Sequence, residues 1–119
     1  MILQIPAVTD SPNAVKSHWV YKYRLRKKWR KLVQDAIYEA RALPLPAVAP
    51  AFAAVTIERH GRKLLDADNL VASLKGLIDS LKDFRLIADD SPEHIHLTVR
   101  QRLTRLPPHM VITIQARIP

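Results

Sequence analysis

The sequence predicts an α/β (α+β) fold, a two-layer domain in which two main helices cover a mixed four-stranded sheet. Four short segments alternate apolar and polar residues, as strands with one buried face do. Two longer segments repeat apolar residues at spacings of three and four, which is typical of amphipathic helices. The elements follow the order β-α-β-α-β-β, and elements in this order pack naturally as one helical layer on one sheet.

The first half of the chain is predicted to supply a strand, a long helix and a second strand. Residues 2–5 form the first strand, which a turn-rich loop over residues 6–14 follows. Helical periodicity runs through residues 17–43 and is clearest after position 23. The proline-rich segment 44–50 cannot continue a helix, because proline lacks an amide donor. Residues 51–59 alternate again and form the second strand.

The second half is predicted to supply one more helix and two more strands. A basic loop leads into a helix over residues 68–81, where Asp66 or Asp68 is placed to cap free backbone amides. Residues 95–103 and 110–118 then alternate as strands. No internal repeat or linker divides the chain, so residues 1–119 are predicted to be a single domain.

Composition limits the classes of function. The chain contains no Cys, which excludes disulfides, thiolate metal sites and Cys-based catalysis. No apolar run approaches the ~18 residues of a membrane span, and the N-terminal segment lacks the pattern of a signal peptide. We therefore expect a cytoplasmic protein that is not embedded in a membrane.

The charge predicts a polyanionic partner. The chain has a formal net charge of +8 and a pI of about 10.2, which favours nucleic acid, with an anionic membrane surface as the alternative. Residues 16–31 contain eight Lys or Arg and no acidic residue, with Trp19, Tyr21 and Tyr23 among them. Cations neutralise phosphates and aromatic rings stack on unpaired bases. The predicted DNA contacts in this run are Lys22, Arg24, Arg26, Lys27, Lys28, Arg30 and Lys31.

A second basic group precedes an acidic one. Arg59, Arg62 and Lys63 are predicted to hold a phosphate, and an exposed basic turn is the alternative. Six of the eight aspartates then lie within residues 64–90: Asp66, Asp68, Asp79, Asp83, Asp89 and Asp90.

The spacing of the aspartates suggests a metal site. Asp66 and Asp68 lie where a loop enters a helix, and Asp89 and Asp90 lie after that helix, so we expect the two pairs to converge at one end of the sheet. Clustered carboxylates repel one another unless a cation neutralises them, and Mg²⁺ or Mn²⁺ suits their oxygens. The alternative is structural, with Asp68 as a helix cap and Asp89–Asp90 as a solvated turn. The residues alone predict a metal-dependent enzyme acting on nucleic acid.

Two motifs identify a family. The segment "DADNLVASLKGLIDSL", followed by "LIADDSPEHI", resembles the RusA family of Holliday junction resolvases, small endodeoxyribonucleases of bacteria and prophages. The resemblance covers roughly residues 57–99. It implies a homodimer that binds branched DNA, the four-way junction, and nicks two opposing strands with Mg²⁺. It also implies that Asp66, Asp68 and Asp90 are catalytic metal ligands. We add the neighbouring Asp89 as a further candidate ligand.

One position departs from the family pattern. The family lysine, four residues after the second aspartate of the first motif, is Ala72 here. Lys75 lies on the same predicted helix face and is the candidate for its catalytic role. The alternative is a surface ion pair between Lys75 and Asp79.

The sequence therefore predicts a Mg²⁺-dependent, structure-selective DNA endonuclease, a Holliday junction resolvase of DNA recombination and repair. One alternative is a DNA-binding protein without nuclease activity, in which the missing lysine marks lost catalysis. The other is a metal-dependent nuclease that acts on RNA or on other branched substrates.

Overall fold

Four strands form one mixed sheet in the computed structural model, which describes residues 1–10 and 19–117. The strands are β1 (Ile2–Ile5), β2 (Phe52–Gly61), β3 (Ile95–Leu103) and β4 (His109–Arg117), in the spatial order β1-β4-β2-β3. β4 pairs antiparallel with both β1 and β2, whereas β2 and β3 run parallel. The predicted mixed four-stranded sheet is confirmed.

Within residues 1–10 and 19–117, the helical layer consists of a long helix, α1 (Trp19–Glu39), and two short ones, α2 (Ala67–Ser73) and α3 (Lys75–Asp83). The helix predicted over residues 68–81 is therefore divided at Leu74, which ends α2 and precedes α3. The first helix ends at Glu39, earlier than predicted, and Arg41 just beyond it has a positive φ of 55°. Among the described residues, no helix combines the length and apolarity that crossing a membrane requires.

Four parts of the sequence predictions lie outside the described residues. They are residues 11–14 of the predicted loop, the cation Lys16, the helix start near Ser17 and the last residue of the predicted fourth strand. Trp19 begins α1, but its side chain is also outside this description.

The core lies between the helices and one face of the sheet. β2 contributes Ala53, Val55 and Ile57, as the alternation predicts, and all three are buried. Buried side chains of β1, β4 and the helices complete it: Leu3, Ile5, Trp29, Val33, Ile37, Leu74, Leu77, Leu81, Met110 and Ile112. The hydrophobic effect of burying these side chains is what holds the two layers together.

Trp29 of α1 packs against α3 at Gly76. A Cβ atom at Gly76 would lie 3.6 Å from Cδ1 of Trp29, which is an ordinary van der Waals contact. Since Trp29 is buried, its ring packs directly over the backbone of α3. This contact fixes α3, and with it the polypeptide that follows the acidic motif.

The ends of the strands extend beyond the helical cover. Leu97 and Val99 of β3 pack against the core as predicted, but Leu103 is exposed. Ala116 of β4 and Val71 of α2 are also exposed, although their spacing predicts inward positions. The apolar alternation of β3 and β4 thus continues beyond their buried residues, and the apolar stripe of α2 is wider than its buried face.

Candidate functional site

The loop that precedes the acidic motif is fixed by two side chains from the sheet. Arg59 donates hydrogen bonds to the carbonyl oxygens of Thr9 (3.0 Å) and Lys63 (2.8 Å). Gln101 of β3 binds the backbone of Leu65 twice, accepting from its N–H at 2.9 Å and donating to its carbonyl at 2.8 Å. Residues 62–66 are therefore held from both sides, which defines where α2 begins.

Asp66 is the N-cap of α2. Its Oδ1 accepts from the backbone N–H of Asn69 at 2.9 Å, and its Oδ2 accepts from the Asn69 side chain at 3.0 Å. Asp68 lies in the first turn of α2, is exposed, and forms no ion pair among the described residues. The cap is thus Asp66, and Asp68 presents a carboxylate to solvent.

The second acidic pair follows α3 and already has a cation beside it. Lys82 Nζ lies 3.2 Å from Oδ1 of Asp89, and the same oxygen accepts a hydrogen bond from the backbone N–H of Asp90 at 2.8 Å. The Asp90 amide and then Lys82 lower the pKa of Asp89. Asp89, aided by the charges of Asp90 and Asp79, raises the pKa of the Lys82 ammonium.

The two acidic pairs lie at opposite ends of β3. Asp66 adjoins Leu65, which is bonded to Gln101 near the end of the strand. Asp90 adjoins Ser91, whose carbonyl accepts from the N–H of Ile95 at the start of the strand. Six residues separate these strand positions, which corresponds to roughly 20 Å at 3.3 Å per residue.

The expected convergence of the pairs within one chain is therefore wrong. Among the described residues, no group of three or more Asp, Glu or His side chains is placed to hold a metal ion. The physical reason is the parallel pairing of β2 and β3. The chain leaves one end of β2, crosses the sheet through α2 and α3, and enters β3 from the other end.

Asp79 and Asp83 have a different role, since they bind α1 to α3. Arg26 of α1 lies 3.3 Å from Asp79 and 2.7 Å from Asp83, and it also donates to the carbonyl of Gly76 at 3.3 Å. Arg30 approaches Asp83 at 3.4 Å. Two aspartates of the acidic segment thus neutralise two arginines of the basic run.

Lys75 is free of the ion pair that was the alternative to a catalytic role. It is exposed at the first position of α3 and has no ion-pair partner among the described residues. Asp79 is paired with Arg26 instead. Ala72, the position of the family lysine, is exposed on α2.

The basic run of α1 is divided between two faces. Trp29 points inward and Arg26 faces α3, while Tyr21 and Tyr23 are exposed. Lys27 lies 5.5 Å from the centre of the Tyr23 ring, and Lys31 pairs with Asp35 at 2.8 Å. The exposed cations of the run are Lys22, Arg24, Lys27, Lys28, Arg30 and Lys31.

The predicted phosphate contact of Arg59 is wrong. The residue is only 4% exposed, and its guanidinium donates hydrogen bonds to backbone carbonyls. Burial lowers the pKa of this guanidinium, while the charge of Asp10 acts in the opposite direction. Arg62 and Lys63 are exposed, so the cations next to the acidic motif are these two.

Two residues at the site were not identified from the sequence. Gln101 positions the loop before Asp66, and a lone polar side chain inside a strand gives no signal of such a contact. Lys82 neutralises Asp89, and it lies seven residues earlier, at the end of an amphipathic helix. A lysine in the last turn of a helix is common, because its charge interacts favourably with the helix dipole. Its presence there therefore does not indicate a contact with Asp89.

A comparison with protein-family models gave no match, and no curated protein is significantly similar to the chain. The resemblance to the RusA family therefore depends on the two acidic motifs alone.

Proposed function

We propose that this protein is a RusA-like, structure-selective DNA endonuclease that cuts four-way junctions as a cytoplasmic homodimer and requires Mg²⁺, with Mn²⁺ as a substitute. The observation that carries the proposal is the setting of Asp66 and Asp68. Asp66 ends a loop that Arg59 and Gln101 fix in place, Asp68 follows in the first turn of α2, and the exposed cations Arg62 and Lys63 precede both. Two carboxylates on a fixed backbone next to exposed cations are what metal-assisted phosphodiester cleavage needs.

One protomer does not offer a complete ligand set for Mg²⁺. Asp66 and Asp68 form half of it, and Asp89 and Asp90 lie at the other end of β3, whose two anchoring positions are roughly 20 Å apart. A twofold axis perpendicular to β3 would place opposite ends of this strand from two copies near each other, because the same patch of both subunits meets at the axis. We therefore propose that Asp90 of the partner subunit joins Asp66 and Asp68, so that the dimer has two sites.

Exposed leucines near Asp66 and Asp68 favour such a dimer. Leu64 is 50% exposed, Leu103 is 64% exposed and Leu106 is 66% exposed. Hydrogen bonds between Thr104 and Gly61, and between Gln101 and Leu65, hold these segments side by side. Neighbouring exposed leucines are a common feature of surfaces that another protein covers.

The remaining residues would bind and orient the DNA. Lys75 is exposed one turn beyond Ala72, and its long stem gives its ammonium the reach to bind a scissile phosphate and stabilise developing charge. Arg62 and Lys63 would bind adjacent phosphates. The exposed cations of α1 would contact a DNA arm, and Tyr23 offers a ring on which a base can stack.

The test is cleavage of a synthetic four-way junction with Mg²⁺, with Mn²⁺ and with EDTA. The wild type is expected to nick opposed strands in a metal-dependent manner. Asp68→Asn should abolish nicking and keep junction binding, because it removes a carboxylate without removing a cation. Lys75→Ala should reduce the rate by on the order of 10²-fold.

The second candidate function is a junction-binding protein without nuclease activity. It is favoured by Ala72, which stands where the family has lysine. Salt-dependent junction binding with no cleavage under any metal would establish it in place of the nuclease. Cleavage of RNA or flap substrates in preference to junctions would instead identify a different metal-dependent nuclease.

A further inference from the structure

The face of the sheet that the helices leave uncovered carries the second set of side chains of every strand. On β3 these are His96, Thr98, Arg100 and Arg102, which alternate with residues that face the helices. The strand register aligns them with the corresponding residues of β2 and β4. We call this surface the open face. Neither acidic motif nor the basic run of α1 belongs to it.

The open face is positively charged. Among its described residues it has three arginines, Arg100, Arg102 and Arg117, and one carboxylate, Glu58. That carboxylate is already paired, since its Oε1 lies 3.2 Å from Nε of Arg102 and 2.8 Å from Nε2 of His60. Arg100 is exposed and the Arg102 side chain is 65% exposed, so both retain donors that point to solvent.

A row of threonines crosses the middle of the open face. Thr98, Thr56 and Thr113 lie side by side on three adjacent strands. His60 and His109 stack nearby with their ring centres 4.5 Å apart and their planes 6° from parallel. Hydroxyls and imidazole N–H groups bind phosphate oxygens, as Ser, Thr and other polar side chains do in many DNA complexes.

This composition argues against a protein partner. The centre of a protein interface is typically depleted in charge and rich in large apolar side chains. Here threonines flanked by Ala54 and Val111 occupy the centre, and the larger Ile2 and Phe52 lie toward the edges. A second copy docked face to face with β3 against β3 would also bring Arg100 and Arg102 of both chains together. Like charges at such a contact would repel one another.

We propose that the open face binds the sugar–phosphate backbone of a duplex DNA arm, with Arg100 and Arg102 as the principal contacts. This inference rests on the proposed action on branched DNA and extends it. The open face and the exposed side of α1 are on opposite sides of the two-layer domain, so they would hold different arms. Arg102 lies opposite His60 in the register of β2 and β3, near the end of the sheet where Asp66 lies. A DNA arm on the open face would therefore lead toward the acidic motif.

The test is the salt dependence of binding to a four-way junction, measured between 50 and 200 mM salt in EDTA. Arg100→Gln with Arg102→Gln is expected to weaken binding about tenfold and to reduce the slope of log K against log salt by about 1.8, since each phosphate contact contributes about 0.9. Arg100→Lys with Arg102→Lys keeps both charges and should retain most of the slope.

The matched control is Arg41→Asn with Arg85→Asn, which also removes two positive charges. Both residues are exposed in the connections that follow α1 and α3, outside the sheet, and both have positive φ values, 55° and 59°, which asparagine tolerates. This control should change the slope by much less than 1.8. Thermal melting of each variant checks that it is folded.

Equal slopes for the glutamine variant and the control would overturn the proposal. So would loss of binding to phosphatidylserine vesicles with junction binding unchanged, which would assign the open face to a membrane. Because EDTA prevents metal-dependent cleavage, the result does not depend on nuclease activity. If the wild type never cuts, but the glutamine variant shows the smaller slope of log K against log salt, the proposed nuclease activity would be contradicted. The proposed DNA binding by the open face would be supported.

Discussion

Two arginines near the acidic motif look alike in the sequence and differ completely in the structure. Arg59 is buried and bonded to the carbonyls of Thr9 and Lys63, while Arg62 is exposed. A signal for this difference exists in the sequence. Arg59 continues the inward series of Ala53, Val55 and Ile57, because strand side chains alternate with a period of two. A cation at an inward position is best explained by backbone acceptors within its reach.

Arg59→Met is expected to lower the free energy of unfolding by roughly 2–3 kcal/mol, because it leaves two carbonyl acceptors without their donor. Arg62→Met should change stability by less than about 0.5 kcal/mol, as exposed substitutions usually do. Denaturant unfolding of both variants gives the comparison. Similar stabilities for the two would contradict the internal role of Arg59. Junction affinity should show the opposite order: it should fall more for the folded Arg62→Met variant than for Arg59→Met.

At the scale of elements, the acidic segment serves the fold as well as the site. Asp79 and Asp83 of α3 bind Arg26 and Arg30 of α1, and Arg30 also lies 5.4 Å from the centre of the Phe84 ring. A basic run beside an acidic run thus joins two helices over the sheet. This accounts for two of the clustered aspartates without any metal or nucleic acid.

Arg26→Gln should lower the free energy of unfolding by about 1 kcal/mol, since it removes a hydrogen-bonded cation that is only partly exposed. The difference from wild type should shrink at high salt, which screens charges near the surface. Arg24→Gln is the control, because Arg24 is exposed on α1 and has no ion pair among the described residues. Denaturant midpoints at 50 mM and 1 M salt provide the measurement. An Arg26→Gln effect that salt does not reduce would argue against the ion pairs as its cause.

The strands, which alternating apolar residues define, were predicted well, but the division of the second predicted helix was not. β1 and β3 have the predicted bounds, and the other two strands differ from prediction by one or two residues where they are described. The division at Leu74 was missed because the apolar stripe continues through it, with Leu70, Leu74 and Leu77 all buried. Apolar periodicity reports which side of a helix is covered. It does not report whether the backbone hydrogen bonds continue.

At the scale of the whole molecule, the direction of strand pairing determines what the acidic motifs can do. A crossover between parallel strands starts at one end of the sheet and finishes at the other. Residues just before the crossover and residues just after it are then far apart. The order of elements alone allowed either convergence or separation of the two motifs, because it does not fix whether β2 and β3 run parallel. The register between Ala53 and Ile95 settles the question in favour of separation.

A mixing experiment tests whether two protomers share each site. Asp68→Asn and Asp90→Asn should each be inactive alone. If Asp90 of the partner subunit completes the site, a mixed dimer has one site with both lesions and one intact site. Refolding the two variants together in equal amounts makes half of the dimers mixed, so about a quarter of all sites are restored. The products should be junctions nicked on one strand, without the paired cut of the wild type.

The control for this experiment mixes Asp66→Asn with Asp68→Asn. Both lesions lie at the same end of β3, so every site in every dimer keeps a defect and nicking should stay absent. Asparagine is chosen because it still caps a helix, which preserves the start of α2 at position 66. If the Asp68→Asn and Asp90→Asn mixture is as inactive as this control, each site belongs to one chain. One chain would then have to bring its two acidic pairs together. Because these pairs lie at opposite ends of β3, roughly 20 Å apart along the strand, this would require a large rearrangement.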